Sequence, residues 1–237
     1  MERRAGGGTG RVAGLLFGLL AAAAVIATAH PEAPEPQFAV QVLPPGRSPA
    51  ARPAPIAALQ QRVLVVAATR HSTTARLTLW QRRGTAPWRR ADAAVTVHLG
   101  AAGLTRHPRE GDPATPLGTF ALTRAFGRDA DRGGRLTRLP YRQLRPGDGW
   151  NTAPGAGYNR LGHTGELYDG RDGWARAAVL IDYNVRNPRA GAGSGFFVHV
   201  AGGGPTRGCV ALPRPAMFRL LRWLDPAAHP RIVIALR

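Results

Sequence analysis

The chain has 237 residues, 32 basic and 14 acidic, with a formal net charge of +18 and a single cysteine. A hydrophobic fraction of 44% excludes wholesale disorder, and the length suffices for one or two domains with a real core. The lone cysteine excludes a disulfide framework and a cysteine-based zinc cluster. Every basic residue is arginine, so the charge tracks a biased composition and does not by itself identify a partner.

In chain order, the first segment reads as an export signal. Arg3, Arg4 and Arg11 precede an apolar run over 12–26, and Ala27-Thr28-Ala29 supplies a small-x-small cleavage site. Residues 1–29 are therefore expected to be a signal peptide. The alternative is an uncleaved anchor, because 12–29 is just long enough to begin spanning a bilayer. Cleavage after Ala29 removes three arginines and one glutamate and leaves +16. The protein is then expected in the cell envelope: periplasm, wall or exterior. Nucleic acid is not expected as a partner, and a membrane only through an uncleaved N-terminus. Anionic wall polymers could attract the charge, or the arginines could simply form a solvated surface.

Residues 30–60, rich in Pro and Ala with no apolar period, read as an extended linker. The folded domain is expected over 61–237. Runs at 62–68, 75–80, 94–99, 118–122 and 177–183 read as short strands with turns between them, which favours a mainly β domain. The stretch 196–200 alternates, with Phe196, Val198 and Val200 facing one way and Phe197 and His199 the other. A short strand over 209–212 follows. Pro213 and Pro215 then open a helix whose apolar stripe is Met217, Leu220, Leu221 and Leu224. A last strand over 231–236 closes the chain.

The chemistry concentrates around Cys209. His199 ends one strand and Cys209 begins the next, with Gly202, Gly203, Gly204 and Pro205 between them. If the strands pair as a hairpin, imidazole and thiol approach each other, as in a Cys–His nucleophile. Gly208 permits close backbone approach, and the Gly208 and Cys209 amides could point at an oxyanion. Arg207 places positive charge beside the thiol, which would favour thiolate. Taken without their neighbours, the bland alternatives are a buried small hydrophobe for Cys209 and a satisfied strand histidine for His199.

The stretch Phe197-Val198-His199 through Pro205-Thr206-Arg207-Gly208-Cys209-Val210-Ala211-Leu212 resembles the catalytic motif of the L,D-transpeptidases of the YkuD type. Arg109-Glu110-Gly111-Asp112-Pro113-Ala114-Thr115-Pro116-Leu117-Gly118-Thr119-Phe120 is similar to the family's G-D-x-x-T-P-x-G-x-F segment. Tyr158-Asn159, Ile181-Asp182-Tyr183-Asn184 and Gly193-Ser194-Gly195-Phe196-Phe197 add to it in the expected order. The likeness spans the chain from about Arg62 onward.

The resemblance implies a mainly β, sandwich-like fold with one or two short helices and the cysteine in a cleft. It implies that Cys209 attacks a peptidoglycan stem peptide to form a thioacyl enzyme, with His199 as base and neither metal nor cofactor. An amine from a second stem then resolves it; water in that role gives an L,D-carboxypeptidase. A third possibility is an envelope-binding module that kept the fold and lost the reaction. The departures are Arg207, where many members have histidine, Ala211, where a polar residue is common, and a short His199–Cys209 interval. Arginine stays protonated and cannot serve as a base. Thr206, His163 and Glu166 are candidate substrate contacts, the last two in a segment that also reads as a solvated loop. Asp112 and Thr115 are expected to fix a turn. Glu110 and Asp182 receive no role.

Overall fold

A computed structural model describes residues 58–163 and 173–237. The expected signal peptide and nearly all of the expected linker lie outside the described residues, as does Glu166. Among the described residues no helix is long and apolar enough to cross a membrane.

The strands are β1 (Leu59–Ala67), β2 (Thr74–Arg83), β3 (Arg89–Arg90), β4 (Val95–His98), β5 (Leu104–Thr105), β6 (Thr115–Pro116) and β7 (Gly118–Gly127). They continue as β8 (Tyr141–Gln143), β9 (Gly149–Asn151), β10 (Arg160–Gly162), β11 (Ala178–Ile181), β12 (Phe197–Val200), β13 (Val210–Leu212) and β14 (Arg231–Leu236). One α-helix, α1 (Arg214–Trp223), and two short 3-10 turns complete the described elements, so the expected mainly β class holds.

One sheet dominates, in the order β1-β14-β7-β11-β12-β13-β4-β2-β3. Because β1 also pairs with β2, the sheet closes into a ring. The two layers of the expected sandwich are thus opposite walls of one continuous sheet. Strand alternation sets what each wall buries. In β1, Val63 and Val65 point inward; in β2, Leu77 and Leu79; in β12, Val198 and Val200, with Phe196 just before it. Met217, Leu220, Leu221 and Leu224 of the α1 segment recur at helical spacing and enter the same core. Each such side chain contributes about 1.5–3 kcal/mol on burial, which seats the helix. Pro215 sits in the first turn of α1, where a missing N–H costs nothing.

A smaller apolar cluster covers the outer face of β7, β11 and β12. It joins Phe126, Trp150, Ala178, Leu180 and Phe197, with Cys209 packed against it. Phe197 lies 4.9 Å from Trp150 and 5.0 Å from Phe126, ring centre to ring centre, both edge to face. This second cluster, not the main core, carries the cysteine.

The hairpin expected between His199 and Cys209 is not what forms. Strands β12 and β13 run parallel, with Val198 opposite Val210, His199 opposite Ala211 and Val200 opposite Leu212. The reason is where the connecting loop is tied. The Thr206 amide donates to the Leu99 carbonyl at 2.7 Å, and the Ala101 amide donates to the Thr206 carbonyl at 2.9 Å. The chain is thereby carried past the end of β4 and re-enters β13 in the direction of β12. Parallel partners ordinarily need a longer crossover. Three consecutive glycines, Gly202 to Gly204, let nine residues suffice.

Candidate active site

The parallel register decides the geometry of the cysteine and histidine. Cys209 precedes Val210, which faces Val198, so Cys209 falls beside Phe197 and on the sheet face that carries Phe197 and His199. Both side chains line one cavity of about 820 Å³. A pairing other than the expected hairpin thus puts both side chains on one face of the sheet.

The thiol is held in place and kept neutral. Cys209 Sγ donates to the Gly195 carbonyl at 3.5 Å. Removal from water pushes its pKa up from 9.0 to about 12, with the Phe197 backbone opposing. The expectation that Arg207 would favour thiolate is corrected here. Arg207 lines the cavity but is exposed, its charge is solvated, and burial of the sulfur decides the shift.

His199 is buried, and its Nδ1 lies 2.8 Å from the Val200 carbonyl. A carbonyl oxygen can only accept, so Nδ1 carries the proton and Nε2 the lone pair. Burial lowers the imidazole pKa, and the bond to Val200 partly offsets this. The resting pair is a neutral thiol and a neutral imidazole.

Thr206 and Gly208 shape the loop that delivers the cysteine. Thr206 Oγ1 accepts from the Gly208 amide at 3.1 Å and donates to the Cys209 carbonyl at 2.7 Å. The hydroxyl expected to touch substrate is committed to its own loop, and so is the Gly208 amide expected at the oxyanion. Gly208 adopts φ +121°, and a Cβ there would lie 2.8 Å from Phe196 Cε1 and 3.0 Å from the Ala114 carbonyl oxygen. Only glycine fits this position. Thr115, fully buried, accepts from the Gly100 amide at 2.8 Å and ties down the neighbouring turn, as expected of it.

Two features of the site escaped the sequence. Asn159, at φ 56°, is a buried hub. Its Oδ1 accepts from Trp150 Nε1 at 2.8 Å and from the Gly195 amide at 3.0 Å. Its Nδ2 donates to the carbonyls of Tyr183 at 3.1 Å and Asn184 at 2.6 Å. It therefore fixes the residue whose carbonyl holds the thiol. Glu110, given no role above, lines the cavity and is held by Tyr158 and Ser194. The signal was available: Glu110, Tyr158 and Ser194 all lie in the matched stretches, but nothing in their spacing says that they meet.

His163 is exposed and sits over Gly147, where a Cβ would come within 2.2 Å of its ring, and it is not among the residues lining the cavity. Arg109, Glu110, Asp112 and Thr152 also line the cavity, together with Trp150 and Phe197. A cavity of this size, lined by aromatic rings, a thiol and charged side chains, suits a peptide with polar side chains.

The model of the YkuD L,D-transpeptidase catalytic domain matches residues 61–234. No curated protein matches the chain.

Proposed function

The chain belongs to the L,D-transpeptidase catalytic-domain family, and from that premise we propose that it is an exported cysteine acyltransferase. Its substrates are peptidoglycan stem peptides, and the reaction passes through a thioacyl intermediate on Cys209 with His199 as base. One observation supports this above the others: Cys209 and His199 lie on one face of the sheet, and both line one cavity.

The neutral resting pair shapes the mechanism. With the thiol pKa near 12, little thiolate stands ready at neutral pH. Proton transfer from Sγ to His199 Nε2 therefore accompanies attack of the sulfur on the carbonyl after the L-centre. With the Gly208 amide turned to Thr206, the oxyanion contact falls to the Cys209 amide. As the C–N bond breaks, His199 returns the proton to the departing D-amino acid. An acceptor amine then adds to the thioester, the C–S bond breaks, and the thiol recovers its proton through His199.

Intact mass after exposure to a carbapenem tests the nucleophile. One adduct is expected on the unmodified chain and none on Cys209→Ala. Folded protein of unchanged mass at neutral pH would refute the reading. It would favour instead a wall-binding module, the alternative suggested by the raised thiol pKa and by Arg207. Incubating a tetrapeptide stem with and without an acceptor amine separates transfer from hydrolysis: cross-linked product supports transfer, and tripeptide alone in both tubes supports a carboxypeptidase.

A further inference from the structure

Glu110 takes no part in the steps above, yet it lines the same cavity. Its Oε2 accepts from the Tyr158 hydroxyl at 2.5 Å and its Oε1 from the Ser194 hydroxyl at 3.0 Å. Tyr158 is buried, and desolvation together with Glu110 pushes its pKa up to about 12, so the phenol remains a donor. One donor on each oxygen fixes the carboxylate and leaves a lone pair on each for a further partner. Elsewhere Asp92, Asp129, Asp148 and Asp225 each meet an arginine at 2.8–3.1 Å. Glu110 makes no ion pair among the described residues, although Arg109 and Arg207 line the same cavity. It remains exposed, a pre-aimed negative group in a chain of net charge +18. It is also next to the chemistry: Ser194 holds Glu110, and the following residue, Gly195, holds the sulfur.

We infer that Glu110 is a positioning residue for an alkylammonium: it holds the amine of the acceptor peptide beside the Cys209 thioester and favours aminolysis over hydrolysis. The inference rests on the thioacyl reaction proposed above. In that step the ammonium releases one proton to solvent, and the nitrogen lone pair forms the C–N bond as the C–S bond breaks. A second proton passes from nitrogen through His199 to sulfur, and Glu110 ends the step unchanged.

The test compares two nucleophiles on preformed thioacyl enzyme, made with a small thioester donor and followed by intact mass at pH 7.5. Ethylamine is a cation at that pH and hydroxylamine is neutral. The ratio of their second-order deacylation rates is expected to fall about tenfold or more in Glu110→Gln, the scale of one charge-assisted contact. In Ser194→Ala, which keeps the carboxylate but loosens it, a fall of about two- to threefold is expected. The ratio in the unmodified protein should also decline with added salt. An unchanged ratio in both variants overturns the inference. So does an effect confined to thioacyl formation, which would place the cation on the donor. Should Glu110→Gln fail to fold, the Ser194→Ala ratio and the salt dependence decide the matter. A thioacyl enzyme with an unchanged ratio removes this inference alone; failure of the unmodified protein to form one removes the proposed reaction as well.

Discussion

Replacing Asn159 by alanine should cost far more than its small size suggests. The side chain makes four hydrogen bonds to Trp150, Gly195, Tyr183 and Asn184, all at 2.6–3.1 Å in a buried site. At a net value of about 1 kcal/mol each, their loss amounts to about 4 kcal/mol. Alanine must also adopt the left-handed φ of 56°, which asparagine tolerates and which adds about 1 kcal/mol. Water entering the vacated space returns part of this, so the expected loss is about 3–5 kcal/mol against a typical domain stability of about 5–15. Equilibrium urea unfolding followed by tryptophan fluorescence measures it, since Trp150 loses its Nε1 partner. Asn159→Asp keeps the shape but presents oxygens to two carbonyl oxygens, and should be destabilised at least as much. A loss below about 1 kcal/mol for both variants, with an unchanged denaturant slope, would refute the hub assignment.

Gly208→Ala forces a Cβ to within 2.8 Å of Phe196 at φ +121°, so a loss of about 2–4 kcal/mol is expected by thermal or chemical unfolding. Thr115→Val strands the Gly100 amide and should cost about 1–3 kcal/mol in the same assay. His199→Gln should slow thiol acylation by about 10²–10⁴-fold in a mass-spectrometric time course. The folded state raises the Cys209 pKa from 9.0 to about 12. The associated stability is therefore complete below pH 9 and is lost as pH rises toward 12, and Cys209→Ala should lack that alkaline slope. The folded state lowers the His199 pKa. Its contribution is present above the ordinary value of 6.5 and is lost as pH falls through the lower folded value, a slope that His199→Gln should remove.

Local patterns were legible in the sequence and long-range pairings were not. The alternation of Phe196 to Val200 correctly separated the core face from the site face, because a strand's period is fixed by its own backbone. The stripe of α1 was readable for the same reason. The direction of β13 was not, because it depends on hydrogen bonds that Thr206 donates to Leu99 and accepts from Ala101, about a hundred residues away. Nor was the extent of β7, which runs to Gly127 because β11 and β8 pair along its second half. Within the site, Cys209 and His199 stood out by residue type and position. Asn159 and Glu110 act through partners 9 to 84 residues distant, and no local spacing announces such contacts.

The closed ring carries a consequence for how the chain reaches its folded form. Strand β14 is the stave between β1 and β7, pairing in parallel with the first and antiparallel with the second. Among the strands of the ring, synthesis supplies it last. Until residues 231–236 emerge, two strands made much earlier present bare backbone edges, which invite mispairing with other chains. Folding must then wait on a contact between the two ends of the domain, the kind of closure that is intrinsically slow. The ring is therefore expected to close late, after its other strands are in place.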